Sequence, residues 1–362
     1  MLYEEEFLAQ LPPAGPHERS PLISLRTHRP RVLGRLNQWF GELYPGGHAD
    51  LAARLRNLAP SQFTPAFYEL ILHKYFADRE WQPLRNHTVN GGNPDFYLPP
   101  IDWFAEVATI SESQDEERES RELDDLCRML EQIQSPFWIS VFDFAFANIP
   151  IDKRRIVAWV EEAIRNNSHE KEFPARYEAD QGQTTIDFHF DRKGANARAN
   201  VGAKGMFSLD FQGQRRRILA RLRAKARKYD RDILLFICSG EGFWAIHHET
   251  VDECLYGDRI MVFNRRTLQA REDRRRNGFF TRIVHKEPQN TRVAAVILCQ
   301  RRIVDAEDTI GIKLAVHHNP YTRRRLDATL FEDNAQFVIT SDEDGRITMA
   351  WINEGAGPVT LG

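Results

Sequence analysis

The sequence predicts a mixed α/β protein, a central sheet with helices on its flanks. Three observations carry that expectation. Apolar residues recur at helical spacing in stretches such as 32–43 and 123–133. Elsewhere they alternate with polar residues, as in 184–190, or form short apolar blocks, as in 233–238. The two kinds of segment interleave along the chain, and Asn90-Gly91 is a hairpin signal that makes the sheet mixed rather than purely parallel.

Taken in order, residues 1–30 hold Pro12-Pro13-Ala14-Gly15-Pro16 and few periodic apolar positions, so an irregular arm is expected. Val32, Leu36, Trp39, Phe40 and Leu43 then mark a helix that Pro45-Gly46-Gly47 stops. A short helix over 49–58 follows, and residues 1–60 together read as an arm with a helical cap. Thr64-Pro65 is a helix start, with Thr at the cap and Pro at the first helical position. The helix it opens is apolar nearly all round, which implies burial. Glu69 and His73 lie one turn apart on it and share a face. Residues 81–89 read as an edge strand because of Pro83, 95–98 as a short strand ended by Pro99-Pro100, and 103–110 as the next strand. An acidic run, 111–122, leads into the helix of Leu123, Leu126, Leu130 and Ile133. A strand at 137–142 and a helix around Ile156–Ile164 complete a unit set at 61–180.

Residues 181–362 are expected to form a basic C-terminal α/β region, able to pack as one unit with what precedes it. Strands are expected at 184–190, 233–238, 293–298 and 312–317, and a helix at 214–229 with Ile218, Leu222 and Ala226 inward. Residues 1–181 carry a net charge of −10 and residues 182–362 a net of +7. The stretch 182–229 alone has 12 basic and 3 acidic residues. Such separation points to a polyanion partner, with solvated Arg-rich helices as the alternative. No apolar run approaches the roughly 18–20 residues of a membrane span. The acidic start, Met1 to Glu6, does not look like a signal peptide. Four widely spaced cysteines without a CxxC pair argue against a zinc ribbon or disulfide framework and for a cytoplasmic protein. His247-His248 and His317-His318 are read as non-metal residues, since neighbours on a strand face opposite ways.

The chemistry concentrates in 64–109. Glu69, Asp95 and Glu106 sit in otherwise apolar surroundings, and burying an acid costs several kcal/mol unless it is paired, protonated or bound to a metal. A divalent cation explains all three together. Taken singly, each has a plainer account: Asp95 closing a turn, Glu106 pairing with an arginine, Glu69 satisfied by His73 or Arg85.

Pro94-Asp95 on one strand, Glu106 on the next and Glu69 on the preceding helix resemble the PD-(D/E)xK, or restriction-endonuclease-like, nuclease superfamily. The order of elements over 61–145 is similar to that family's αβββαβ core. The resemblance implies Mg²⁺, or Mn²⁺ in its place, held by Asp95, Glu106 and the Val107 carbonyl, with Glu69 assisting. It implies an endonuclease-like hydrolase of DNA. The lysine expected two residues after the second acid is Ala108, so the motif is degenerate. Glu106-Val107-Ala108-Thr109 is similar to a group of bacterial proteins with an EAT-like ending. Cys254-Leu255-Tyr256-Gly257, Val293 to Ile297 and His318-Asn319-Pro320-Tyr321 share that similarity.

A lysine from elsewhere can fill the gap. Lys225 on the basic helix is one candidate, its alternative being a solvated helix residue. Lys74 is five residues after Glu69 and points about 140° away. His73 is a candidate base, its alternative a hydrogen-bonded core histidine. Lys204, Arg215, Arg216, Arg217 and Arg221 are the candidate nucleic-acid contacts. Two expectations compete with a nuclease. One is an inactive module of the same fold that clamps nucleic acid or serves in a larger assembly, as a homodimer or an assembly subunit; the other is a structural or protein-interaction subunit that meets no nucleic acid.

Overall fold

The described residues up to Asp78 are mostly helical in the computed structural model, which describes residues 2–14, 20–85, 87–89, 92–110, 114–146, 150–193, 211–239, 246, 248–264, 269–284, 287–303, 309–341 and 347–361. Helices α1 (Glu5–Gln10), α2 (Pro21–His28), α3 (Pro30–Leu43), α4 (Ala49–Leu55) and α5 (Pro60–Asp78) follow one another. The expected irregular arm is therefore partly helical. In α2, Pro21 occupies the first turn and Ser20 caps it, accepting from the Ile23 amide at 3.4 Å. Leu22, Ile23 and Leu25 are buried, a stripe too short to show against the prolines around it. Helix α5 also starts earlier than Thr64. Pro60 takes the first turn, and Pro65 lies inside the helix. That proline forgoes one hydrogen bond, to the carbonyl of Ser61, which is exposed to water and so loses little.

The chain continues with β1 (Phe96–Leu98), β2 (Trp103–Ile110), α6 (Gln114–Leu130), β3 (Phe137–Ala145), α7 (Lys153–Asn166), β4 (Glu172–Ala179) and β5 (Thr184–Arg192). Then come α8 (Phe211–Lys228), β6 (Ile233–Ser239), α9 (His248–Tyr256), β7 (Arg259–Asn264), β8 (Gln269–Arg274), β9 (Ile283–Val284) and β10 (Glu287–Pro288). The last strands are β11 (Val293–Ile303), β12 (Ile310–His318), β13 (Ala335–Ser341), β14 (Ile347–Ile352) and β15 (Val359–Thr360).

These elements form two compact units, and the boundaries differ from the 1–60, 61–180 and 181–362 expected from sequence. One unit runs to Ser111 and resumes at Phe211; the described part of the other lies within Glu112–Asp210. The strand at 137–142 and the helix before it thus leave the acid-bearing unit. In the second unit β3, β5 and β4 pair antiparallel in that order. Leu126 and Leu130 of α6 and Ile156 and Val160 of α7 share a core with Phe188 and Phe190.

The first unit is built on a mixed sheet in the order β1-β2-β6-β11-β12-β13-β14, with β15 beside β12. Strands β2, β6 and β11 are parallel, whereas β1–β2 and β11–β12 are antiparallel. All seven residues of β6 are buried, as a central strand covered on both faces requires. Alternation sorts them: Leu234, Phe236 and Cys238 join the core under α3 and α5, while Leu235 and Ile237 join that under α8 and α9. Residues 81–89 are no strand; Leu84 bridges Tyr97 and Val89 bridges Gly92, and the Asn90-Gly91 turn lies outside the described residues. The partner that follows β2 in this sheet is β6, reached through α8. All four cysteines are free and buried. Among the described residues no helix is long and apolar enough to cross a membrane.

Candidate functional site

Asp95 stands one residue before β1, and Glu106 lies in the middle of β2. The last ladder rung joins Phe96 to Ala105. Beyond it the Asp95 side chain takes over the backbone's role. Its Oδ2 accepts the Val107 amide at 2.7 Å, and the Asp95 amide donates to Glu106 Oε2 at 3.3 Å. The two acids therefore brace the open end of the hairpin. Within a strand the amide and carbonyl of one residue face the same edge, so the Val107 carbonyl also faces Asp95.

Glu106 is fully buried, and its charge is matched from α8. Lys225 Nζ donates to Oε1, and Lys228 Nζ lies 3.5 Å from the same atom. The Tyr229 hydroxyl donates to Oε2 at 2.6 Å and lies 2.9 Å from the Asn93 carbonyl. Burial, reinforced by Glu106, pushes the Tyr229 phenol well above its ordinary value, so it stays a donor. Gly92 has φ +136°, and a Cβ there would come within 3.3 Å of Lys228, so a glycine suits this close approach.

Glu69 is held from the other side of the sheet. Arg54 grips both of its oxygens, at 2.6 and 2.8 Å, and Arg85 adds a contact of 2.6 Å to Oε2. Burial alone raises a carboxylate, but the two guanidiniums outweigh it and hold Glu69 below its usual range. Arg85 also donates to the Tyr44 hydroxyl at 3.0 Å, which lies 2.7 Å from His73 Nδ1. Burial, with the Arg85 and His48 charges, pushes His73 down to about 4. The imidazole is thus neutral, hydrogen-bonded through Nδ1 to the Tyr44 hydroxyl and packed edge-on against Phe96.

Between α5, the hairpin and α8 lies a cavity of about 170 Å³, lined by Pro65, Glu69, Asp95, Val107, Ala108, Thr109, Arg221 and Lys225. Of the residues expected to act, Glu69, Asp95, Val107, Lys225 and Arg221 meet here. Glu106 lies directly behind, bonded to Lys225. His73 is not among the lining residues. Lys74 pairs with Asp78 at 2.6 Å. Arg215 pairs with Asp258, Arg216 is exposed and Arg217 half-buried, and Lys204 lies outside the described residues. Burial, followed by the Glu106 charge, pushes the half-buried Asp95 carboxyl up to about 6.

The donors fit a hard divalent cation in part. Asp95 and Val107 both line the cavity, and among the described residues Asp95 takes a protein hydrogen bond on Oδ2 alone, so its Oδ1 and the Val107 carbonyl are the oxygens a cation would use. Glu106 fits only after it gives up a lysine. The three acids do not close into one cluster. Among the described residues the trio of acid and histidine groups with ligand atoms all within 4.8 Å is Glu172, His189 and Asp191, in the second unit. There His189 Nε2 lies 3.3 Å from Asp191 and 3.9 Å from Glu172.

Sequence reasoning missed Arg54, Lys228 and Tyr229. The signal for the last two was present: Lys225, Lys228 and Tyr229 follow at i, i+3 and i+4, one face of a helix. No protein-family model matches the chain, and neither a curated protein nor a solved structure matches it.

Proposed function

We propose that this cavity is the active site of a Mg²⁺- or Mn²⁺-dependent nuclease that hydrolyses phosphodiesters, with DNA as substrate. The observation that carries the reading is Lys225. It reaches from α8 to Glu106 and lines the cavity beside Ala108, so it supplies the cation that the degenerate motif lacks there. The succession α5, β1, β2, α8, β6, one strand short of αβββαβ because 81–89 makes only isolated bridges, supports a restriction-endonuclease-like core carrying a large insertion between β2 and α8.

Asp95, the Val107 carbonyl and Glu106 would hold the cation. When bound, it neutralises phosphate charge and makes water a stronger acid. Lys225 orients the attacking water and offsets charge developing on the phosphoryl oxygens. Glu69 does not ligate; clamped by Arg54 and Arg85, it fixes the wall against which Asp95 sits. Arg221, exposed at the cavity, grips a phosphate. Incubation of plasmid and linear DNA with purified protein tests the reading. Cleavage with Mg²⁺ or Mn²⁺ is expected, absent in EDTA and in Asp95→Asn. No divalent-dependent cleavage of DNA under any condition overturns it.

One observation favours a second reading, an inactive nucleic-acid-binding module: both Glu106 oxygens are already engaged by protein donors. That reading predicts DNA binding that weakens steeply with salt and ignores Mg²⁺.

A further inference from the structure

Glu106 accepts from four donors: Lys225, Lys228, the Tyr229 hydroxyl and the Asp95 amide. An ionised carboxylate offers about four lone-pair positions, so no acceptor position is left over for a cation. One donor must leave before Glu106 can ligate. The Asp95 amide is backbone, and Tyr229 is buried and points into the same brace. Lys228 is the more distant of the two lysines and lines no part of the cavity. Lys225 lines the cavity, carries its charge on a flexible stem and is partly exposed. It is the donor able to leave.

Moving an ammonium off a buried carboxylate is costly unless the ammonium finds another anion and the carboxylate another cation. Arg221 points to the first. It lies one helical turn before Lys225 on the same face of α8 and lines the same cavity. Among the described residues it makes no ion pair. Around the cavity, Arg54 and Arg85 balance Glu69 and Asp50, Lys225 and Lys228 outnumber Glu106, and Arg221 adds a further positive charge. Even with Asp95 ionised the surroundings favour an anion before any metal arrives.

Building on the nuclease reading, we infer that Arg221 and Lys225 form a phosphate seat whose occupation draws Lys225 off Glu106 and so opens that carboxylate to the cation. The backbone phosphate of a nucleic acid and the divalent ion then bind with positive coupling, each strengthening the other by the same factor. The device keeps the ion site closed until substrate is present.

The test measures Mn²⁺ binding by the electron paramagnetic resonance signal of free Mn²⁺. The probes are the dinucleotide thymidylyl-thymidine, which has one phosphodiester, and thymidine, which has none. Wild-type protein is expected to bind Mn²⁺ about tenfold more tightly with the dinucleotide than with thymidine, within the usual range of coupling. Lys225→Met is expected to bind Mn²⁺ about tenfold more tightly than wild type without nucleotide, and to gain little from adding it. Arg221→Ala removes a positive charge and should bind Mn²⁺ slightly more tightly than wild type, but lose the coupling to the dinucleotide. Circular dichroism and thermal melting establish that each variant is folded, and Lys225→Arg, which keeps the ion pair, should bind Mn²⁺ no better than wild type. Equal Mn²⁺ affinity with dinucleotide and with thymidine overturns the inference, as does a folded Lys225→Met that binds no more tightly than wild type. Coupling without cleavage would remove the nuclease reading and leave the seat standing; cleavage without coupling would do the reverse.

Discussion

Of two buried carboxylates, Glu69 lines the cavity and Glu106 lies behind it, and they are held in different ways. Glu69, on the α5 side, is gripped by Arg54 and Arg85, whose planar forks satisfy it from two directions. Glu106, on the α8 side, is met by two ammonium groups on flexible stems, together with a tyrosine and a backbone amide. A bidentate guanidinium pair is geometrically rigid, while an ammonium is a point charge that can be redirected. The difference separates an acid that builds the wall from an acid that can change partners.

The sharpest way to break this contrast is to neutralise each acid. Glu106→Gln is expected to lower metal-dependent DNA cleavage about 1000-fold, and Glu69→Gln about tenfold at most, as measured by initial rates. Equal losses would erase the distinction. Removing partners should give the opposite ranking for stability. Arg85→Ala strips a buried acid of a charge partner and should cost about 4 kcal/mol in urea unfolding. Lys225→Ala should cost less, about 2–3 kcal/mol, since the buried Glu106 keeps Lys228, Tyr229 and the Asp95 amide.

His73 sharpens the comparison from the α5 side. Its folded value, about 4, lies below the ordinary 6.5. Between those values the unfolded chain takes up a proton that the folded one refuses. Stability should therefore fall as pH drops from 6.5 towards 4, by about 3 kcal/mol in all, and this contribution should level off below 4. In His73→Leu that part of the slope should vanish, as read by chemical unfolding across the range. The smallest effect is expected at Tyr229→Phe, which removes one charge-assisted hydrogen bond, about 1–2 kcal/mol by thermal melting, and leaves the lysines in place.

Much of the candidate site was legible because it is local. The span of β2 follows from its apolar run between Asp102 and the acidic stretch. Asp95 and Glu106 come together because 95–98 and 103–110, read as successive strands set apart by Pro99-Pro100, pair antiparallel; the hairpin expected at Asn90-Gly91 lies outside the described residues. Helix α5 was legible as a buried helix, although its start was not: Thr64-Pro65 has the form of a cap, yet the apolar face already begins at Phe63, and Pro60 serves the first turn. The strand expected at 81–89 does not form among the described residues: only single bridges join Leu84 to Tyr97 and Val89 to Gly92, and Arg85 is turned to Glu69.

What the sequence by itself determined is the inventory: helices and strands from their periods, three acids in an apolar setting, an arginine- and lysine-rich helix, and a motif short of one lysine. Only the tertiary structure decided how those parts meet. Nothing local distinguishes β3 from β6 as the strand that follows β2 in the sheet, since both are apolar runs preceded by a helix with an apolar face. Pairing β2 with β6 sets a whole compact unit aside and brings α8 across the end of the hairpin. Residues 106 and 225 then meet over a separation of 119 positions, too far for any periodic signal to register. Lys225 reaches the cavity that Ala108 lines through packing alone, on a helix whose register places Lys225 and Tyr229 over Glu106.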